Sequence, residues 1–205
     1  MDPLSPSPAE PAPRGPEPGA GVSVASRFYT GVGSRSTPPE VLRQMERIAE
    51  RLALRGWTLR SGGADGADSA FARGAARHAA ASDIYVPWHG FNGVAGGIVA
   101  PAEAVARAEA IAATSHPVWN SLTRSVKALH TRNVFQVLGT RLDRPSDFLL
   151  CWTPDAAESE ATSCRGTGGT RTAIVIAQRY GVPVINLARS DAMTRLTETV
   201  MGLSR

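Results

Sequence analysis

The chain has 205 residues, 42% of them hydrophobic, which suits one domain with a substantial core and a tail. No apolar run approaches the roughly 20 residues that cross a bilayer, and Asp2 with its many prolines stands where a secretory signal would be basic and then apolar, so a cytoplasmic protein without a membrane partner is expected. The net charge is +4, and Lys127 is the single lysine among 22 basic residues; the charge is therefore carried by arginine, which suits phosphate and carboxylate recognition and permits nucleic-acid contact without demanding it.

Residues 1–24 are rich in Pro, Gly, Ala and Ser and almost lack bulky apolar side chains. Such a segment cannot bury enough surface to offset its ordering entropy, which predicts a disordered tail before a folded domain over 25–205. Arg27 to Val32 reads as a buried first strand. Thr37-Pro38-Pro39-Glu40 reads as a helix start, with Thr37 as cap and Glu40 closing a capping box. Val41, Met45, Ile48 and Leu52 recur at helical spacing, and Gly56 ends that helix. Trp57 to Arg60 is the next strand, Asp65 to His78 an Ala-rich helix, and Asp83 to Trp88 a third strand and its exit.

The middle is less regular. Residues 89–97 form a loop, 101–113 a helix, and 121–138 a longer helix. Asp147 to Trp152 is a continuous apolar strand fit for the centre of a sheet. A polar loop over 153–166, a helix over 168–180, a strand over 182–187 and a helix over 190–201 complete the chain. This alternation predicts an α/β fold, a Rossmann-like three-layer domain with a mostly parallel sheet.

Three Gly-rich junctions lie between strand ends and helices: Gly31-Val32-Gly33-Ser34-Arg35, Ser61-Gly62-Gly63-Ala64-Asp65-Gly66, and Thr167-Gly168-Gly169-Thr170. Glycine lets the backbone approach a ligand and turn N–H groups inward, while Ser34, Ser61, Thr167 and Thr170 add hydroxyls and Arg35 a charge. Three such turns on one edge of a parallel sheet point to ligand binding at the carboxyl ends of the strands. Neither G-x-G-x-x-G nor G-x-x-x-x-G-K-[ST] occurs, which excludes a P-loop NTPase. Asp65 and Asp68 fall in the first turn of a helix, where the macrodipole favours carboxylates; Asp65 reads either as such a residue or as a contact to a sugar hydroxyl, and Asp68 as structural. Trp88, Phe91, Trp119 and Trp152 are candidate stacking platforms, with core packing the simpler reading for Trp152. Cys151 and Cys164 make neither a disulfide framework nor a zinc spacing, so neither metal nor cofactor is expected.

Thr30-Gly31-Val32-Gly33-Ser34-Arg35, then Leu59 to Asp68 with Ala70 to Ala75 behind it, then Gly168-Gly169-Thr170 with Thr172-Ala173 and Gly181-Val182-Pro183-Val184, resembles the SLOG superfamily. That group takes in DNA-processing proteins of the DprA/Smf type and the LONELY GUY and lysine-decarboxylase-like nucleotide-binding proteins. The resemblance spans about residues 27 to 188 and implies a Rossmann-like sheet with phosphate-binding loops on one edge. A homo-oligomer is expected.

LONELY GUY enzymes cleave nucleoside 5′-monophosphates with an Arg on a helix and a Glu after the third glycine loop. Arg132-Asn133 matches the first feature, but Thr172 and Ala173 stand where the Glu falls. Threonine can neither stabilise an oxocarbenium ion nor activate water. The expected activity is therefore binding of a phosphorylated nucleotide-derived ligand. The alternatives are a single-stranded-DNA-binding recombination mediator of DprA type and an N-ribohydrolase, for which Arg132, Glu158 and Glu160 are the catalytic candidates. The binding set is Gly31, Gly33, Ser34, Arg35, Ser61, Gly62, Gly63, Asp65, Thr153, Arg132, Asn133, Thr167, Gly168, Gly169 and Thr170.

Overall fold

The computed structural model describes residues 26–78 and 82–203; the tail expected over 1–24 lies outside the described residues. Five strands, β1 (Arg27–Gly31), β2 (Trp57–Ser61), β3 (Ser82–Ile84), β4 (Phe148–Cys151) and β5 (Val184–Asn186), form one parallel sheet in the order β3-β2-β1-β4-β5. The helices are α1 (Pro39–Leu54), α2 (Ala67–Ala76), α3 (Ala102–Ser115), α4 (Arg124–Leu138), α5 (Thr170–Arg179) and α6 (Ala192–Gly202). No helix among the described residues is long and apolar enough to cross a membrane.

Two cores flank the sheet. Met45, Ile48 and Leu52 of α1, Phe71 of α2, and Leu196 and Val200 of α6 pack with Tyr29, Leu59, Phe148 and Leu150. On the other face Ala104 and Ala108 of α3, Val134 and Leu138 of α4, and Ile174 and Ala177 of α5 pack with Leu149, Cys151 and Val184. Successive residues of a strand point to opposite faces, so Phe148-Leu149-Leu150-Cys151 serves both cores and must be apolar throughout. Burying each large side chain is worth about 1.5–3 kcal/mol. Aromatic packing ties β1 and β2 to β4, with the Tyr29 and Phe148 rings stacked at 5.8 Å and Trp57 edge-on to Phe148 at 5.0 Å.

Four local expectations need correction. The apolar strand β4 lies between β1 and β5, and β1 takes the centre; a continuous apolar run reports burial on both faces, not rank in the strand order. Thr37 does not cap α1, because Pro38 occupies the cap position and the Thr37 hydroxyl donates to the Ser34 carbonyl at 2.7 Å, closing the first glycine turn. Helix α2 starts at Ala67, and Asp65 sits in the turn before it. Gly66 sets that start: its φ is +82°, and a Cβ there would lie 2.9 Å from the Arg35 Cα and from the Ser34 carbonyl oxygen. Helix α4 begins at Arg124, where the Thr123 hydroxyl accepts from the Val126 amide, and a separate 3-10 turn covers Trp119–Ser121.

The topology positions the site. From β1 the chain moves outward to β2 and β3, then returns to the other side of β1 as β4, so the direction of winding reverses between β1 and β4. Loops leaving two such strands diverge to opposite sides and leave a crevice at their carboxyl ends.

Candidate ligand-binding site at the switch point

A cavity of about 410 Å³ occupies this crevice. One wall is the turn after β1, Val32 to Arg35; the opposite wall is Thr167 to Thr170 with Ala173. Helix α4 supplies Val126, Leu129, His130 and Asn133, which recur at the spacing of a single helix face, together with Arg132. The first and third glycine turns both line this cavity, and the second contributes Ala64 and, from the helix behind it, Asp68.

The backbone approach is close. A Cβ on Gly33 would lie 2.7 Å from that of Ala67 and 3.2 Å from the Trp152 carbonyl oxygen, and the Ser34 amide donates to that same carbonyl. The amides of Gly33, Arg35, Gly169 and Thr170 have no acceptor among the described residues. Those of Gly169 and Thr170 open α5, at the positive end of its dipole. The Arg35 side chain, at the cavity wall and exposed, has neither a hydrogen bond nor an ion pair among the described residues. The Ser34 hydroxyl lies 2.7 Å from that of Ser36.

Arg132 and Asn133 act in different ways. Arg132 donates to the Gly62 carbonyl at 2.8 Å, and its other terminal nitrogen lies 3.3 Å from the Asn133 side-chain oxygen and 3.7 Å from Asp68. Burial lowers the Arg132 pKa, Asp68 opposes that, and Arg35 adds to it. Burial likewise raises the Asp68 pKa against the pull of Arg132 and the backbone amides of Ala64 and Gly62. Asp68 is the carboxylate at the cavity wall, and its partners commit it to holding the second turn. Asn133 donates to the Gly169 carbonyl at 3.1 Å and so fixes the third turn.

Other residues of the expected set lie behind the walls. A Cβ on Gly31 would lie 2.7 Å from Phe71, so this glycine makes room for the core. The Ser61 hydroxyl donates to the Gly31 carbonyl and ties β2 to β1. Gly62 gives its carbonyl to Arg132, and Gly63 gives its own to Asn92. Asp65 is exposed and outside the cavity. Thr153 is buried and accepts from Asn186 at 2.7 Å. Thr167 does line the cavity, with its hydroxyl donating to Asp155. Burial works to raise the Asp155 pKa, but hydrogen bonds from Thr167, Thr153 and Cys164 outweigh it and hold the carboxyl well below the usual range.

Glu158 and Glu160 are outside the cavity and engaged by arginines. Glu158 accepts two hydrogen bonds from Arg195 at 2.8 and 2.9 Å and one from the Asn186 amide. Glu160 pairs with Arg171 and Arg179. Phe91 is buried 5.7 Å from the Arg132 guanidinium rather than facing the cavity.

One pair had no signal in the sequence. His130 Nδ1 lies 2.8 Å from the Thr172 hydroxyl, at the position where the resemblance calls for Glu, and the His130 ring is 4.4 Å from that of His116. Burial first, then the charges of His116 and Arg132, push His130 down to about 4. A neutral imidazole therefore lines the cavity at neutral pH. The separation of 42 positions from His130 to Thr172 left no pattern to find, although the spacing of Val126, Leu129, His130 and Asn133 could have marked that face of α4.

The molecule is a doubly wound parallel α/β domain with an amide-lined cavity at its switch point. No family model matches the chain, and no curated protein does. Among solved structures it is similar to DNA processing protein A from Helicobacter pylori, reported for its single-stranded DNA binding mode, with 17% identity and a TM-score of 0.47 over 84% of this chain and 72% of that one.

Proposed function

We propose that the chain is a cytoplasmic module that binds a phosphorylated nucleotide-derived ligand in the cavity beneath α4. One observation carries this reading: four backbone amides and the Arg35 guanidinium, all without a partner among the described residues, meet at a single cavity. Amides at a helix start and an arginine fork both suit phosphate oxygens. The volume falls within the range of roughly 300–1,000 Å³ common for small-molecule sites. Asn133 holds the third turn, and His130 offers a neutral ring to the uncharged part of the ligand.

Isothermal titration with a panel of nucleotides tests it. At least one member should bind saturably, and Gly169→Asp should abolish that binding. Gly169 has φ −62° and open space beside it, so the substitution adds a carboxylate to the phosphate subsite without straining the fold. Absence of binding across the panel would overturn the reading.

Single-stranded DNA is the second ligand class, favoured by the exposed Arg35 at the cavity wall and by Arg124 and Lys127 in the first turn of α4. Its affinity should fall steeply with salt, because neutralising backbone phosphates releases counterions; a flat response would count against it. Binding, not cleavage, is the proposed activity, since Glu158 and Glu160 are held by arginines and Asp68 by Arg132 and the Ala64 amide. Free base released from nucleoside monophosphates would refute that part.

A further inference from the structure

A second and larger cleft, about 1060 Å³, lies on the other flank of α4, and Arg132 is the residue common to both linings. Its walls include Val86, Pro87, Val99, Val105 and Phe135. Trp88 also lines it and is 43% exposed, while its ring is held edge-on by Phe91 at 5.4 Å and 87°. Phe91 is itself fixed over Arg132. A large ring left in solvent yet braced from behind offers a flat face at low entropic cost.

The mouth of this cleft is cationic. Arg124 and Ser125, in the first turn of α4, line it with Lys127, and the Arg124 and Ser125 amides have no acceptor among the described residues. Glu109 is the acidic group of the lining. The Lys127 ammonium lies 5.6 Å from the Trp119 ring centre, and Arg124 is exposed, without an ion pair among the described residues. An apolar chamber with a braced aromatic face is thus lined by two cations at the positive end of a 15-residue helix.

We propose that this cleft is a second binding site, for a planar aromatic anion, with the ring system against Trp88 and the anionic group at Arg124 and Lys127. It does not depend on the phosphate reading of the first cavity, since the two lie on opposite flanks of α4. The volume admits a fused or linked pair of rings.

Fluorescence titration of the full chain with 1-anilinonaphthalene-8-sulfonate, and with the matching neutral N-phenyl-1-naphthylamine, separates the charge from the apolar contribution. The sulfonate should saturate one site. Arg124→Glu with Lys127→Glu should weaken it by about tenfold or more while leaving the neutral probe within about twofold, as expected of a charge contact at a partly desolvated site. Ala128→Phe, which fills the cleft, should weaken both probes, and Gly169→Asp should change neither. Unchanged sulfonate affinity in the charge-reversed variant would overturn the proposal, as would loss of binding in Gly169→Asp. The charge reversals sit on the helix surface, so the test stands even if Ala128→Phe fails to fold.

Discussion

The Asn133 side-chain amide donates to the Gly169 carbonyl at 3.1 Å, so a residue of α4 sets the orientation of the turn that opens α5. The Gly169 and Thr170 amides at the cavity wall are held in place by that contact. Asn133→Ala should therefore cost about 0.5–1.5 kcal/mol of stability, the net value of one hydrogen bond, and weaken nucleotide binding by up to roughly tenfold. Calorimetric titration beside a urea melt measures both; unchanged affinity would show that the turn holds its shape unaided.

Arg132 and Asp68 form a buried pair, 9% and 3% exposed. Removing one partner leaves the other charge without compensation. Arg132→Met should destabilise by about 3–5 kcal/mol, and Asp68→Asn added to it should recover part of that loss. Urea unfolding of the two single variants and the double variant gives the coupling. Strict additivity would mean that the 3.7 Å separation carries no interaction of consequence.

His130 has a lowered pKa in the folded state, about 4 against an ordinary 6.5. The unfolded chain takes up a proton first as pH falls, so the contribution of His130 is fully present above about 6.5, declines from there to about 4, and is constant below. His116, also lowered by burial and by Arg171, acts in the same direction. Asp155, with its depressed pKa, adds a loss only below the usual carboxylate range. His130→Gln should flatten the fall in urea midpoint between pH 6.5 and 4.5 relative to wild type; equal slopes in both proteins would refute the assignment.

Two glycines of the motif should separate cleanly. Gly31→Ala pushes a methyl group to 2.7 Å from Phe71 and 2.9 Å from Leu59, and should cost about 1–3 kcal/mol by overpacking. Gly169→Ala enters open space at an ordinary backbone angle and should stay within about 0.5 kcal/mol of wild type. Thermal melts of both variants decide it, and a Gly31→Ala protein as stable as wild type would contradict the core-packing role.

Much of the architecture was legible because it rests on local periodicity. Met45, Ile48, Ala49 and Leu52 are spaced as one helix face, Gly56 stands where a left-handed residue must end that helix, and Phe148 to Cys151 is apolar at every position because both faces of β4 are covered. The candidate site was legible only in outline. Glycine marks both close packing and ligand approach, so Gly31, which accommodates Phe71, and Gly33, which lines the cavity, read alike in the sequence. Thr37 could cap α1 or close the preceding turn, and the competition was decided by the Ser34 carbonyl.

The sequence by itself determined the α/β alternation, the covered sheet and the presence of three glycine turns, since each depends on residues within a turn or two of one another. Only the tertiary structure decided which groups face the ligand. Strand order brought the turn after β1 against the start of α5, and the packing of α4 over both faced His130 with Thr172 and Arg132 with Asp68. Those pairs are separated by 42 and 64 residues, and contacts at such distance leave no periodic trace in the chain; they exist because burial of one helix face fixes what the neighbouring face must meet.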